Sequence, residues 1–391
     1  MKVLFLSFYF QPDLSAGSFR ATALTEALRA RLPAGSQVDV LTTSPNRYKS
    51  FSEAAPIEQV DGAIHIRRIE LPPTHKGVAG QMLAFLHYAR QVRKTVADKR
   101  YDLVYATSSR LMTAALGAFI ARRVGAPLYL DIRDLFVDTI ADVLPPPMAI
   151  AARPAFSLLE RRTFKAAAHI NLVSAGFRDY ATRVSEGVPL SFYTNGVDDE
   201  FLDFDPGSRT SAQPGPTRIL YAGNIGEGQG LETIVPALAG KLGPAATLRI
   251  IGDGGRRSAL ANAVASLPNV EICPPVRRLE LLEEYRQADV LFLHLNDYPA
   301  FLKVLPSKLF EYAATGKPIL AGLNGFSADF ARTEIANAAV FSPRDVDAAQ
   351  RALEALSMTS VDRRPFIAKY ARASIMSAMA QDMIEVANAG K

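Results

Sequence analysis

Between Phe301 and Gly322 the chain reads FLKVLPSKLFEYAATGKPILAG, and these residue types point to nucleotide chemistry. A Pro-Ser-Lys turn (Pro306, Ser307, Lys308) leads into a short segment carrying Glu311 and ending at Gly316. Pro is tolerated at the first position of a helix and Gly commonly follows the last, so the spacing predicts a short helix entered from this turn. Ile319–Ala321 then reads as a buried strand. Backbone N–H groups at a helix start can receive an anion. A carboxylate one turn further in can accept two hydrogen bonds from vicinal hydroxyls. Ser307 and Lys308 facing phosphates, with Glu311 facing a ribose, describe a nucleotide.

Other candidates stand at the ends of predicted strands. Asp131, Arg133 and Asp134 follow one such strand, where doubly wound folds place ligand-facing residues. Arg133 stays protonated and cannot be a general base. An Arg–Asp pair there either orients an acceptor phosphate or sugar or forms a structural salt bridge. Gly17 precedes the helical stretch Phe19–Arg31, where backbone can approach a ligand closely; a plain turn reads equally well. Asp253, Gly254 and Arg277 follow further strands. Each is an ordinary turn by itself, and together they outline a pocket.

Short apolar runs alternate with helical patterns along the whole chain, which predicts an α/β fold with parallel sheets covered on both faces. Strands are expected at Lys2–Ser7, Gln37–Thr42, Ile64–Ile69, Leu103–Ala106, Leu128–Asp131, Ile170–Val173 and Ser191–Tyr193. A second series follows at Arg218–Ala222, Thr247–Ile251, Val270–Cys273, Val290–Leu293, Ile319–Ala321 and Ala339–Phe341. Helices are expected at Arg20–Arg31, Gln81–Asp98 and Thr113–Arg123. The 391 residues suffice for two domains. Gly, Pro and Ser concentrate in Asp205–Pro216, so the expected division is 1–200, a linker at 201–216, and 217–372.

Net charge is +5, from 44 Lys and Arg against 39 Asp and Glu. That balance suits phosphate-rich ligands or an anionic membrane surface. No Lys/Arg run supports nucleic-acid binding. Cys273 is the single cysteine, which excludes an intramolecular disulfide and a cysteine-cluster zinc site; it reads as a buried, inert thiol. His65, His75, His87, His169 and His294 lack metal-ligand spacing. Asp203-Phe204-Asp205 sits at the linker, away from either nucleotide pattern. No phosphate-binding Gly-x-x-x-x-Gly-Lys-Ser/Thr loop occurs. No apolar run is long enough to span a bilayer, and Val3–Phe10 reads as a first buried strand.

The Pro306–Gly322 stretch, Ile219–Gly226 with Gln229-Gly230-Leu231, Ile251–Gly254 and the opening run Leu6–Thr22 together resemble the retaining family 4 glycosyltransferases. More narrowly they resemble the bacterial L-fucosamine transferase-like branch of surface polysaccharide and O-antigen synthesis. The resemblance implies the GT-B fold, two Rossmann-like domains facing across a cleft, with residues 373–391 forming a helix that crosses back to the first domain. It implies a nucleotide-sugar donor, expected to be UDP-linked, a lipid-linked or oligosaccharide acceptor, and no metal cofactor. The loop at Gly17 would close over the donor diphosphate, and the loops at Asp253, Gly254 and Arg277 would surround the nucleotide. Arg133 stands near a family histidine that contacts the donor sugar. Many members clamp the diphosphate with an Arg and a Lys where this chain has Asn224 and Gln229. Lys308, Lys303 and Arg20 are the available compensating cations. Lys303 lies eight residues before Glu311, where the family has a first glutamate; a cation there can pair with a phosphate or a donor carboxylate.

Val78, Met82, Leu86, Ala89, Val92 and Val96 recur at helical spacing beside Arg90, Arg93, Lys94, Lys99 and Arg100. This is either a basic amphipathic helix for a membrane surface or an ordinary helix covering a sheet. Pro145–Phe156 with Arg161, Arg162 and Lys165 reads the same two ways. The expected location is cytoplasmic, with peripheral contact to the inner membrane face. Two further functions remain open: a nucleotide-sugar 2-epimerase of the same fold, and a non-catalytic nucleotide-sugar-binding subunit.

Overall fold

The computed structural model describes residues 1–46, 54–72, 77–108, 111–135, 137, 146–206 and 215–390. The chain divides into one unit of Met1–Thr194 with Arg372–Lys391 and a second of Asn195–Ala371.

The first unit is built on β1 (Lys2–Leu6), β2 (Gln37–Thr43), β3 (Glu58–Asp61), β4 (Ile64–Ile69), β5 (Leu103–Thr107), β6 (Leu128–Ile132), β7 (His169–Leu172) and β8 (Leu190–Ser191). Their order is β3-β4-β2-β1-β5-β6-β7-β8. β5 and β6 are buried along their whole length, as helices on both faces require. One face is covered by the helices Ala16–Arg31 and Arg372–Ala389, which bring Leu24, Leu28, Met376, Met379 and Met383 into a shared core. The helix Leu111–Val124 packs against both Gly77–Thr95 and Pro146–Lys165.

The second unit holds β9 (Thr217–Ala222), β10 (Ala246–Ile251), β11 (Val270–Cys273), β12 (Val290–His294), β13 (Ile319–Gly322) and β14 (Ala338–Phe341). They form a parallel sheet in the order β11-β10-β9-β12-β13-β14. Ile219, Tyr221, Ile234, Leu238, Ile250 and Phe292 make its core.

Several expectations change. β3 pairs antiparallel with β4, so the first sheet is not wholly parallel. Its sequence, Glu-Gln-Val-Asp, is that of a charged, exposed edge strand, and the apolar pattern therefore misses it. The strand expected at Ser191–Tyr193 is only Leu190–Ser191, because the Tyr193 carbonyl turns to side chains. Cys273 is partly exposed, with burial and Glu271 pushing its thiol pKa up. Residues 195–206 pack with the second unit: the Val197 N–H donates to the Tyr370 carbonyl at 2.8 Å. Residues 207–214 of the expected linker lie outside the described residues. The terminal helical stretch breaks at Ala371, leaving Arg364–Tyr370 in the second unit and Arg372–Ala389 in the first.

One buried ion pair ties the first unit together. Arg20 meets Asp131 in a bidentate pair at 2.8 and 2.9 Å, and both side chains are essentially inaccessible. Arg20 also donates to the carbonyls of Tyr193 and Thr194, each at 2.8 Å. Asp131 accepts further bonds from Tyr105 at 2.9 Å and Asn171 at 2.7 Å. Burial pushes the Asp131 carboxyl up, but the Arg20 charge and these bonds outweigh it and hold it below its ordinary range. Asp131→Asn would leave the Arg20 charge buried without a counterion. Removing one partner of such a pair destabilises by about 3–5 kcal/mol. Chemical denaturation of Asp131→Asn is expected to show a loss of that size; a change under about 1 kcal/mol contradicts it.

Candidate functional site

In the second unit the helix carrying Glu311 runs Lys308–Thr315, so it starts two residues after Pro306. The Pro306 and Ser307 carbonyls accept from the N–H groups of Leu309 and Phe310, making the turn that opens the helix. Gly316 ends it in the left-handed region at φ 72°, where glycine lacks the steric penalty of a side chain. The Ala222 N–H at the end of β9 donates to the Tyr312 hydroxyl at 3.1 Å, which ties helix to sheet. The Lys308 side chain lies against Gly223: a Cβ there would sit 3.5 Å from Lys308 Cε.

Glu311 is only 4% exposed. Its Oε2 accepts from Lys308 Nζ at 2.8 Å and from the Tyr285 hydroxyl at 3.2 Å, with Arg278 Nη1 at 3.4 Å. Arg278 donates to Asp198 at 2.7 Å and stands 4.9 Å over the Phe201 ring. Burial lowers its pKa, but Glu311 and Asp198 more than offset that and raise it.

The loops around this helix start are locked by backbone proximity. A Cβ on Gly252 would come within 1.8 Å of the Gly223 carbonyl oxygen, so the loops after β9 and β10 touch only because that residue is glycine. Gly254 meets Ile225 in the same way. Asp253 takes part in this packing: its carbonyl accepts from Ile225 at 2.9 Å, and its Oδ1 from the Gly254 N–H at 2.8 Å. Asn224 and Gln229 bond to each other, amide to amide, at 2.8 Å, and the Gly226 N–H also reaches Gln229 Oε1 at 3.2 Å. Lys303 ends the turn Pro299–Lys303, whose Phe301 ring covers Gly228.

Gly223, Asn224, Gln229, Asp253, Gly254, Lys308 and Glu311 thus share one end of the second sheet, with Ser307 at the helix cap. Arg277 does not join them. It is exposed and caps the helix Arg278–Gln287, and the neighbouring Arg278 is the side chain that reaches Glu311. Sequence reasoning missed Arg278 and Tyr285. They stand seven residues apart, two helical turns, and so on one face.

In the first unit Gly17 lies in the first turn of Ala16–Arg31, where Ser15 caps by accepting from the Ser18 N–H at 3.2 Å. Arg133 Nη1 donates to the Ala16 carbonyl at 3.1 Å, and the Arg133 backbone N–H donates to the Ser108 hydroxyl at 2.9 Å. Gly17 and Arg133 are therefore neighbours, with Asp134 exposed beside them. Arg20 and Asp131 are removed from the candidates. Their polar atoms are committed to the buried pair, and neither faces solvent. Among the described residues no cluster of His, Cys, Asp and Glu could hold a metal ion.

His294, also missed, closes β12 beneath the Gly-rich loop. It is fully buried. Its Nδ1 bonds the Gln229 carbonyl at 2.7 Å and its Nε2 accepts from the Arg344 N–H at 3.1 Å. A carbonyl needs a donor and an N–H an acceptor, so these partners define the neutral Nδ1–H tautomer. Burial pushes its pKa down to about 4.

Residues 17–190 match the family described as a glycosyl transferase 4-like domain, and residues 208–373 match glycosyl transferases group 1. Curated protein sequences give no match. Among solved structures, sucrose-phosphate synthase from Thermosynechococcus elongatus is 17% identical, with 98% of this chain and 94% of that chain covered and a TM-score of 0.69. HepE of Anabaena, solved in complex with UDP and glucose, is 17% identical, with 99% and 97% covered and a TM-score of 0.63. WaaG, a glycosyltransferase involved in lipopolysaccharide biosynthesis, is 15% identical, with 99% and 97% covered and a TM-score of 0.64. At these identities the likeness is one of fold.

The His294 environment predicts a pH effect on stability. Its folded pKa lies below the ordinary value near 6.5, so its contribution is complete above that pH and is lost as pH falls toward 4. The loss amounts to about 3 kcal/mol. His294→Gln is expected to flatten denaturation free energy against pH between 4 and 6.5. An unchanged slope contradicts a neutral buried imidazole.

Proposed function

The chain belongs to the GT-B glycosyltransferases, and on that premise we propose that it transfers a sugar from a nucleotide donor to a lipid-linked or growing glycan. The donor is a UDP-linked N-acetylamino sugar, the anomeric configuration is retained, and the product is a surface polysaccharide. The resemblance to the L-fucosamine transferase-like branch supports this finer reading. The observation that carries the nucleotide assignment is the Lys308–Glu311 pair beside Gly223 at the strand ends of the second sheet. When a donor binds, the ribose hydroxyls donate to Glu311, and the Lys308 ammonium turns to the phosphates. There it stabilises the charge that develops on the leaving nucleotide. Ser307 and the opening backbone of the helix add dipoles of the same sign. The reading requires no metal, and the nucleotide sugar is a substrate rather than a cofactor.

Glu311→Ala is expected to weaken UDP binding by about 1–3 kcal/mol, the scale of lost charged hydrogen bonds. Lys308→Ala should impair UDP binding and largely spare uridine, which has no phosphate. Calorimetry reads both. Unchanged UDP affinity in folded Glu311→Ala, or equal losses for UDP and uridine in Lys308→Ala, contradicts the assignment.

We further propose that the first unit rests on the cytoplasmic membrane surface. No described helix is long and apolar enough to cross a membrane. The apolar stripe read along Gly77–Thr95 divides. Val92 and Val96 are buried, while Met82 and Leu86 are exposed together with Leu83; Val78 and Pro145 lie outside the described side chains. The two helices that follow it in the packing expose Met112, Phe119, Met148, Ile150 and Leu158. These three helices carry eight of the fourteen large hydrophobic side chains exposed among the described residues. They also carry Arg90, Arg93, Lys94, Arg122, Arg123, Arg153, Arg161, Arg162 and Lys165, against one acid, Glu160, which is buried. Arg161 and Lys165 pair with the exposed Glu186, and the other cations leave an apolar surface with a net positive rim, which complements anionic lipid. Co-sedimentation with anionic vesicles is expected to fall as salt rises, because exposed charges are screened. Replacing Arg90, Arg93 and Lys94 with Glu should abolish it. Equal pelleting with neutral and anionic vesicles contradicts the electrostatic part.

A further inference from the structure

We propose that Arg278 is the positioning residue of the nucleotide site, acting on the ligand through Glu311. The inference rests on the reading of Glu311 as the ribose-holding carboxylate and assigns Arg278 no contact with the nucleotide.

Glu311 has two cationic neighbours of different kinds. Lys308 stands on the same helix three residues earlier, 22% exposed, and its long flexible stem lets the ammonium leave for a phosphate. Arg278 stands on the preceding helix, 17% exposed, and cannot leave as easily. Its guanidinium is held by Asp198 at 2.7 Å on one side and by the Phe201 ring on another. When Lys308 turns to the diphosphate, Arg278 remains as the fixed cation beside a carboxylate that is almost wholly buried. A buried carboxylate without a counter-charge takes up a proton. A protonated Glu311 accepts ribose hydroxyls poorly. Arg278 therefore keeps Glu311 ionised and aimed in the one state where Lys308 no longer does so.

Two tyrosines beside Glu311 do not replace it. Tyr285, from the Arg278 helix, donates a neutral hydroxyl, and burial raises its pKa far above the ordinary value. Tyr312, the next residue on the Glu311 helix, accepts from the Ala222 N–H and supplies no positive charge. Asp198 and Glu200, which act on Arg278 from the segment before β9, are anions. Asp198 thus supports Glu311 at one remove and fastens the segment Asn195–Pro206 to the nucleotide end of its unit.

The test uses Arg278→Met, which keeps apolar bulk against Phe201, and Arg278→Lys, which keeps charge but loses the fork. UDP affinity is measured by calorimetry between pH 5.5 and 8.5, in these variants and in the same variants carrying Glu311→Gln. Each affinity is divided by that of the native protein at the same pH, so that the titration of UDP itself cancels. Arg278→Met is expected to bind UDP about tenfold more weakly at pH 7, the loss of one charge-assisted bond. The deficit should grow as pH falls, and Arg278→Lys should recover part of it. In the Glu311→Gln background Arg278→Met should have little further effect and no pH dependence. A deficit that is constant with pH, or that adds in full to Glu311→Gln, overturns the proposal and leaves Arg278 a packing residue. Carboxyl carbon NMR of Glu311 decides the matter separately. Measured with Lys308→Ala in place, since that ammonium is gone from Glu311 once it turns to a phosphate, the resonance should titrate at higher pH when Arg278→Met is added than without it, and equal titration overturns the proposal. If the native chain fails to bind UDP, the nucleotide reading falls, while the NMR comparison still decides whether Arg278 governs Glu311.

Discussion

A carboxylate withdrawn from water must be met by opposite charge and by donors, or it does not remain a carboxylate. Glu311 sits under that constraint, and the second unit is arranged around it. Lys308, Arg278 and Tyr285 converge on one of its oxygens from two helices. Arg278 in turn engages Asp198, so the stretch leading into β9 is bound to the same point. The Ala222–Tyr312 bond fixes where the helix meets the sheet, and the contact of Gly223 with Gly252 fixes the loops around it. A ligand that displaces Lys308 from this arrangement acts on a site whose remaining members are already in place.

The parts of this arrangement that are local in sequence were legible in it. The turn at Pro306–Lys308, the helix ending at Gly316 and the strand after it follow from short-range preferences. Most strands were legible because parallel strands buried on both faces read as continuous apolar runs. Pairings distant along the chain were not. Arg20 and Asp131 are 111 residues apart, and each by itself resembles a ligand-binding group on a strand-end loop or helix start. Only their contact shows that each neutralises the other. Arg278 was hidden for the same reason, and its exposed neighbour Arg277 was the residue that sequence position suggested. β3 escaped because a charged edge strand carries no apolar pattern.

Asn224 and Gln229 show how a departure from a family pattern changes meaning in three dimensions. Read one at a time, they are two lost cations. In the structure they are partners, and their amide bond with the Gly226 N–H closes the loop on itself. His294 holds the same loop from below through the Gln229 carbonyl. A pair of cations at these positions would repel each other and rely on bound phosphate to bring them together. An amide pair needs no ligand to hold its geometry. Under the proposed function, diphosphate recognition then falls on Lys308, the opening of its helix and the loop backbone, with fewer full charges and more fixed dipoles.

Transfer of a sugar from a nucleotide is decided by the products that this chain forms from a panel of UDP-sugars. The chain would be incubated with each donor in the presence and absence of glycan-bearing lipid acceptors, and both UDP and the sugar would be followed by chromatography. One donor is expected to yield free UDP in step with sugar on the acceptor, and Glu311→Ala to slow both. An epimerised nucleotide sugar formed without acceptor, or binding of donors with no turnover under any combination, would contradict it.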